Sequence, residues 1–347
     1  MALFSTIFKD IGIDLGTANS LIYVKNAGIV VNEPSVAAMN AKTNRILAVG
    51  DEAKKMLGRT PAHINVVRPL VAGVISDFEM TEEMLRHLLQ RPKTNSFTSY
   101  RRAILAIPND LTEVERKSVE DAALNVGCAK VYLVESPVAA ALGAGLPIAL
   151  PSASLIVDIG GGTTDIAVIS MGGTVVSRTL KIAGDRFNDD IIRFARDEFH
   201  LAIGEPTAEF AKISVGSAVP LDERLEIAVR GRDMTTGLPL EVVMKNTHAR
   251  AALGKSLRAV TDSVREVIEE TPPELAGDVL RQGITLCGGG ALLRGLDELL
   301  EKETGVHVTI AEDPLTCVAR GLGQMIDDFE SHRELLDNPL RPPAINL

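Results

Sequence analysis

Two short stretches constrain this chain more than anything else in it. Asp14-Leu-Gly16-Thr17-Ala18-Asn19 and Asp158-Ile-Gly160-Gly161-Gly162-Thr163 each set an aspartate two residues before a glycine. Each follows an apolar run of strand character, Ile11 to Asp14 and Leu155 to Ile159, and each precedes another, Ser20 to Val24 and Ile166 to Ser170. A strand, glycine turn and strand occurring once in each half indicate a duplicated domain whose halves face each other. Met80 to Leu89 and Val114 to Val126 carry apolar residues at helical spacing, with Arg102 to Ile107 a buried strand between them. Strands and helices alternate, so the fold class is α/β.

A chain of 347 residues exceeds what one hydrophobic core supports, so two domains are expected. The pattern breaks at Gly145 to Ser152, where Pro147 and Pro151 precede the strand-like Leu155 to Ile159. That places the first domain at 1–150 and the second at 151–330. The tail, 331–347, carries Pro339, Pro342 and Pro343 and reads as an irregular segment lying near the first domain.

Small residues at a hairpin tip let backbone N–H groups approach an anion, and threonine hydroxyls add donors for phosphate oxygens. One such turn more often only reverses the chain. Two, each led by an aspartate, read as a paired phosphate cradle, with Asp14 and Asp158 holding Mg²⁺ through water, since Mg²⁺ prefers oxygen ligands and keeps part of its hydration shell. The plainer alternative is that each aspartate bonds only its own turn. A third cluster, Gly288, Gly289, Gly290 and Ala291, closes a strand and opens a helix, where a sugar and base can lie against bare backbone. Close packing of strand on helix would need the same glycines.

The formal net charge of −10 works against a partner that must be held by many phosphate contacts, so no nucleic acid is expected. Cys128, Cys287 and Cys317 are far apart and lack metal-ligand spacing, which fits a reducing cytoplasm. No run approaches the roughly 20 apolar residues of a membrane span, and the start lacks the features of a signal peptide. It does place Leu3, Phe4, Ile7 and Phe8 on one face of a short helix, which either lies on lipid or packs on the protein.

The motifs occur in the order in which the actin, sugar-kinase and heat-shock-chaperone ATPases carry them. Ile11 to Ser20 and Ile156 to Asp165 resemble the two phosphate motifs, Ser136 to Gly145 and Leu315 to Gly323 the two connecting helices, and Thr285 to Leu293 the adenosine motif. Within that superfamily the stretches Asp14 to Tyr23, Asn32 to Val36, Gly58 to Pro61, Ala140 to Pro147 and Thr271 to Leu275 resemble the MreB family most closely, and the similarity runs from Ile11 to Asp328. The resemblance implies an actin-like fold of two ribonuclease-H-like domains and four subdomains, with smaller insertions at about 30–77 and 184–255, and ATP or ADP with Mg²⁺ in the interdomain cleft. It implies Glu209 and Lys212 as adenosine contacts, although an i,i+3 ion pair on a helix surface would look the same. Filaments of paired protofilaments on the inner face of the cytoplasmic membrane are also implied. They would use Leu3, Phe4, Ile7 and Phe8, with Phe97 as a further lipid contact and Val114 toward the opposed protofilament. Membrane-bound cell-shape and cell-wall-synthesis proteins are the implied partners, and determination of rod shape the implied role.

One departure bears on ATP hydrolysis. The family's water-positioning glutamate directly precedes the proline that opens the first connecting helix, and here Ser136 holds that place with Glu135 before it. One residue's displacement at a helix entrance turns a side chain through a large angle. Either the loop lets Glu135 reach the water, or Ser136 orients it without acting as a base, or this Mg²⁺-dependent ATPase is slow. A sugar-kinase-like phosphotransferase is the competing function, but no further carboxylate is marked as a base for an acceptor hydroxyl. A chaperone ATPase would need a substrate domain after the second connecting helix, for which this sequence leaves no room.

Overall fold

The computed structural model describes residues 8–91 and 99–336, and of Phe8 and Ser99 the backbone alone. Two compact units emerge. The first holds the described residues up to Ser152, the hairpin tip 169–175 and the segment from Leu315 onward; the second holds Ala153–Val168 and Val176–Pro314.

The first unit is built on a five-stranded sheet in the spatial order Val131–Glu135, Ser99–Ile107, Phe8–Leu15, Asn19–Val24, Gly28–Pro34. The opening strand is central. It runs antiparallel to its hairpin partner, with Asp14 opposite Leu21, and parallel to Ser99–Ile107, with Asp14 beside Ala106. Ile11 and Ile13 bury one side chain after another beneath helix Phe78–Gln90, whose Met84, Leu85 and Leu88 fill the same core. That helix starts where the Asp77 carboxylate accepts from the Met80 amide, and Glu113–Asn125 starts at a capping box of Thr112 and Glu115. A three-stranded sheet of Arg45–Val49, Ala37–Asn40 and Ile64–Val67 stands within this unit. Helices Ser136–Gly143 and Cys317–Asp327 pack backbone to backbone: a Cβ on Gly143 would collide with the Cys317 carbonyl, and one on Gly321 with that of Ala139.

The second unit repeats the plan. Its sheet runs Gly173–Leu180, Thr164–Ser170, Ser154–Ile159, Ile284–Cys287, Val308–Ile310, again with the first strand of the unit in the middle, its hairpin to one side and two later parallel strands to the other. All six residues of Ser154–Ile159 are buried, as a strand covered on both faces requires. Helices Gly184–Phe199 and Asn246–Glu270 supply Phe187, Ile191, Leu253 and Val260 to its core. A small sheet of Leu201–Ala202, Glu226–Asp233 and Pro239–Lys245 completes it.

Three expectations need correction or qualification. Phe8 opens the first strand, so the expected amphipathic helix does not extend to it; pairing with Ser99 wins over the i,i+4 pattern. Leu3, Phe4, Ile7 and Phe97 lie outside the described residues, as does the tail beyond Leu336. The cluster Gly288 to Ala291 opens a 3₁₀ turn, Gly289–Leu292, and the α-helix begins only at Leu296. No helix among the described residues is long and apolar enough to cross a membrane.

Candidate functional site

In open α/β sheets, ligands gather where parallel strands end. The candidate residues of each unit lie there. In the first unit Asp14 is next to last in its strand and leads into Gly16, Thr17, Ala18 and Asn19, while Glu135 ends its strand and Ser136 opens a helix. In the second unit Asp158 is next to last in its strand and leads into Gly160, Gly161, Gly162 and Thr163, while Gly288 follows the end of the parallel neighbour.

The first turn is braced from the segment Asn32 to Ser35. Ser35 Oγ donates to the Gly16 carbonyl at 2.6 Å, the Ser35 amide donates to the Ala18 carbonyl at 2.9 Å, and Asn19 Nδ2 donates to Asn32 Oδ1 at 2.9 Å. Thr17 Oγ1 accepts from the Gly73 amide at 3.0 Å, which leaves its own proton for another acceptor. Asp14 has no hydrogen-bonded or ionic partner among the described residues, and burial pushes its carboxyl up to about 7. A carboxylate so placed gains most from a cation.

The second turn closes on itself, the Gly160 amide donating to the Thr163 carbonyl at 2.9 Å. Its outer carbonyls are taken by the next helix: Gly184 N donates to Gly160 O at 3.1 Å and Asp185 N to Gly161 O at 2.8 Å. Lys212 Nζ donates to the Gly184 carbonyl at 2.9 Å and so ties helix Glu205–Val215, which also carries Glu209, to the start of that helix. The strand register sets Asp158 beside Cys287, which brings the following Gly288 against Asp158. Gly288 has φ +77, and a Cβ there would collide with Asp158 Oδ1 and the Ile159 carbonyl. Gly290 is equally close to Ile159, and Ala291 is buried.

The second unit thus brings Asp158 together with Gly288, and Lys212 with the helix start that braces Gly160 and Gly161. Sequence reading missed three contacts. Thr163 Oγ1 and Thr179 Oγ1 both donate to the buried Asp165 carboxylate, at 3.0 and 2.5 Å, and Thr174 Oγ1 donates to Glu135 Oε2 at 2.6 Å. Thr179 and Asp165 lie on neighbouring strands of one sheet and Thr174 and Glu135 on strands of different sheets, so spacing along the chain reveals neither contact.

No group of three or more His, Cys, Asp or Glu that could hold a metal ion occurs among the described residues. Asp14 in the first unit and Asp158 in the second are each an oxygen ligand of the kind Mg²⁺ takes beside water and phosphate oxygens. Neither Gly288 nor Gly290 has room for a Cβ against Asp158 and Ile159, so close packing by itself requires glycine at both.

A five-stranded sheet with its first strand central, built twice and each time ending in an aspartate-led glycine turn, is the actin-like fold. The family model described as MreB/Mbl protein matches residues 8–334. The chain is 48% identical over 322 residues to the cell shape-determining protein Mbl of Bacillus subtilis, covering 93% of this chain and 97% of that one. Among solved structures, MreB5 of Spiroplasma citri bound to AMPPNP superposes with a TM-score of 0.90 at 43% identity, covering 94% of this chain and 98% of that one. Its ADP-bound form gives 0.89 over the same shares of both chains, again at 43% identity. The MamK double helical filament shares the fold, with a TM-score of 0.78 at 22% identity and coverage of 92% and 98%. The chain belongs to the MreB/Mbl family.

Proposed function

We propose that this chain is an ATP-binding cytoskeletal protein that assembles into filaments on the inner face of the cytoplasmic membrane and takes part in determining cell shape. The observation that carries the reading is the repeated aspartate-led turn at the parallel strand ends of both units. Its support from relatives is that Mbl is named cell shape-determining and that MreB5 binds AMPPNP and ADP. We read the two units as the two duplicated domains, with the boundary near 150 as expected and the stretch from Leu315 onward packing with the first unit and not the second.

In this reading the amides of Gly16 to Asn19 and Gly160 to Thr163 bind the phosphates of ATP or ADP, and Gly288 to Ala291 with Glu209 and Lys212 hold the nucleoside. Asp14 and Asp158 orient the water shell of Mg²⁺, which neutralises phosphate charge when bound. Turnover by this ATPase needs positioning and charge stabilisation more than covalent chemistry, so Ser136 in place of a water-positioning glutamate slows hydrolysis while leaving binding intact. Val114, 75% exposed on helix Glu113–Asn125, serves a contact between protofilaments. Leu3, Phe4, Ile7, Phe8 and Phe97 serve the lipid contact, and the partners are membrane-bound cell-shape and cell-wall-synthesis proteins.

Sedimentation and light scattering with ATP and Mg²⁺, with and without anionic vesicles, test the proposal. Polymer that requires nucleotide is expected. A chain that stays monomeric at every accessible concentration, with and without vesicles, refutes it.

A further inference from the structure

The two phosphate-turn threonines have opposite hydrogen-bond polarity. Thr17 Oγ1 accepts from the Gly73 amide and keeps its proton to give away. Thr163 Oγ1 donates to Asp165 Oδ2 at 3.0 Å, and a hydroxyl has one proton. Asp165 is 3% exposed, lies on strand Thr164–Ser170, and is held from the other side by Thr179 Oγ1 at 2.5 Å on its Oδ1. Both carboxylate oxygens therefore accept, and the Thr163 proton is committed. The neighbouring Thr164 hydroxyl is spent on the Ile182 carbonyl at 2.7 Å, so it does not compete for Asp165.

What remains on Thr163 is lone pairs. A phosphate oxygen, itself an acceptor, gains nothing there, whereas a water molecule can donate. We propose that Asp165 is a positioning residue for ATP hydrolysis: by taking the Thr163 proton it makes that hydroxyl an acceptor that orients the attacking water. This rests on the nucleotide-binding reading above and deepens it. In the step itself the water oxygen forms a bond to the γ-phosphorus. The bond from that phosphorus to the bridging oxygen breaks, and its electron pair leaves with ADP. One water proton ends on the inorganic phosphate and the other stays on the transferred oxygen. Thr163 holds a hydrogen of the water and takes none. A water oriented by an acceptor needs no ionised side chain, which suits a chain that has Ser136 at the usual glutamate position.

The test is Asp165→Asn on the full chain, alone and with Thr163→Val. Thr179 keeps the oxygen of the new amide, so its Nδ2 faces Thr163, whose proton is then free for a phosphate oxygen. Single-turnover phosphate release is expected to fall about tenfold and AMPPNP to bind several-fold tighter, as the gain or loss of one hydrogen bond implies. In the Thr163→Val background Asp165→Asn should shift neither quantity by more than about twofold, a coupling that a merely structural role would not produce. Should Asp165→Asn not fold, Asp165→Ala likewise removes the acceptor that holds the Thr163 proton and is expected to slow release in the same Thr163-dependent way. The proposal is overturned by unchanged release and affinity, by equal effects in both backgrounds, or by an effect confined to Mg²⁺ affinity with saturated release unchanged. Wild-type release no faster than that of ATP in buffer also overturns it. Absence of AMPPNP binding in the wild type would instead refute the nucleotide reading.

Discussion

Thr174 Oγ1 donates to Glu135 Oε2 at 2.6 Å, so the carboxylate beside Ser136 is engaged by the turn region 169–175 within its own unit. Glu135 stands at the entrance of helix Ser136–Gly143 in extended conformation, and Ser136 is the helix's first residue. A glutamate already holding a hydroxyl at short range is a poor substitute for one directed at water. Ser136→Glu is therefore expected to raise single-turnover phosphate release at least about tenfold with AMPPNP affinity held within about twofold, and Glu135→Gln to leave release within about twofold. An unchanged rate in Ser136→Glu would remove the displaced glutamate from the account of slow turnover.

Gly288 makes a second, steric prediction. With φ +77 and no room for a Cβ between Asp158 and Ile159, any side chain must push the Asp158 strand end aside. A backbone at φ +77 and ψ 170 lies in a region essentially confined to glycine and costs on the order of 1–3 kcal/mol for a residue with a Cβ. Gly288→Ala should therefore lower the melting temperature by several degrees and weaken AMPPNP binding by at least about tenfold, read by calorimetry. Near-wild-type affinity would detach Gly288 from the nucleoside site.

Much of this molecule is legible in its sequence because its signals are local. Apolar spacing marks Phe78–Gln90 and Glu113–Asn125, and aspartate before glycine marks both turns. The Thr112 and Glu115 cap joins residues only three apart. What escapes is set by tertiary packing. Thr179 is 14 residues from Asp165 and Thr174 is 39 from Glu135, and nothing in either spacing announces the contact. The brace of the first turn by Ser35 and the seat of Lys212 on the Gly184 carbonyl are of the same kind. Phe8 shows the converse, a helical stripe overruled by a strand partner far along the chain.

Asp10 carries a pH prediction. Burial alone would raise its carboxyl, but hydrogen bonds from Arg101 and Arg102, at 2.7 Å each from their terminal nitrogens, outweigh it and hold Asp10 below the ordinary carboxylate value. Arg102 also lies 4.1 Å over the Phe329 ring, which joins the strand starts to the last segment of the same unit. A depressed folded pKa contributes stability that is fully present above the unfolded value near 3.8 and is lost as pH falls through the lower folded one. Asp10→Asn should cost on the order of 3 kcal/mol at neutral pH, since it leaves Arg102 half-buried without its anion, and should flatten the acid limb of urea unfolding. A variant whose loss persists undiminished at pH 2 would assign the effect to packing.

Thr17 and Thr163 should separate binding from turnover. The Thr17 hydroxyl, receiving the Gly73 amide, has a proton to give to a phosphate oxygen, so Thr17→Val removes that donor and strands the amide. AMPPNP affinity should fall about tenfold, a loss of about 1.4 kcal/mol, and stability should fall by about 1 kcal/mol for the orphaned amide. Thr17→Ser keeps the hydroxyl and should stay within about threefold of wild type in both. Thr163→Val, whose hydroxyl proton already belongs to Asp165, should leave AMPPNP affinity within about threefold while slowing phosphate release. Calorimetry with AMPPNP beside single-turnover release decides it: if the two valine variants lose affinity equally, the opposed polarity of the two hydroxyls has no functional consequence.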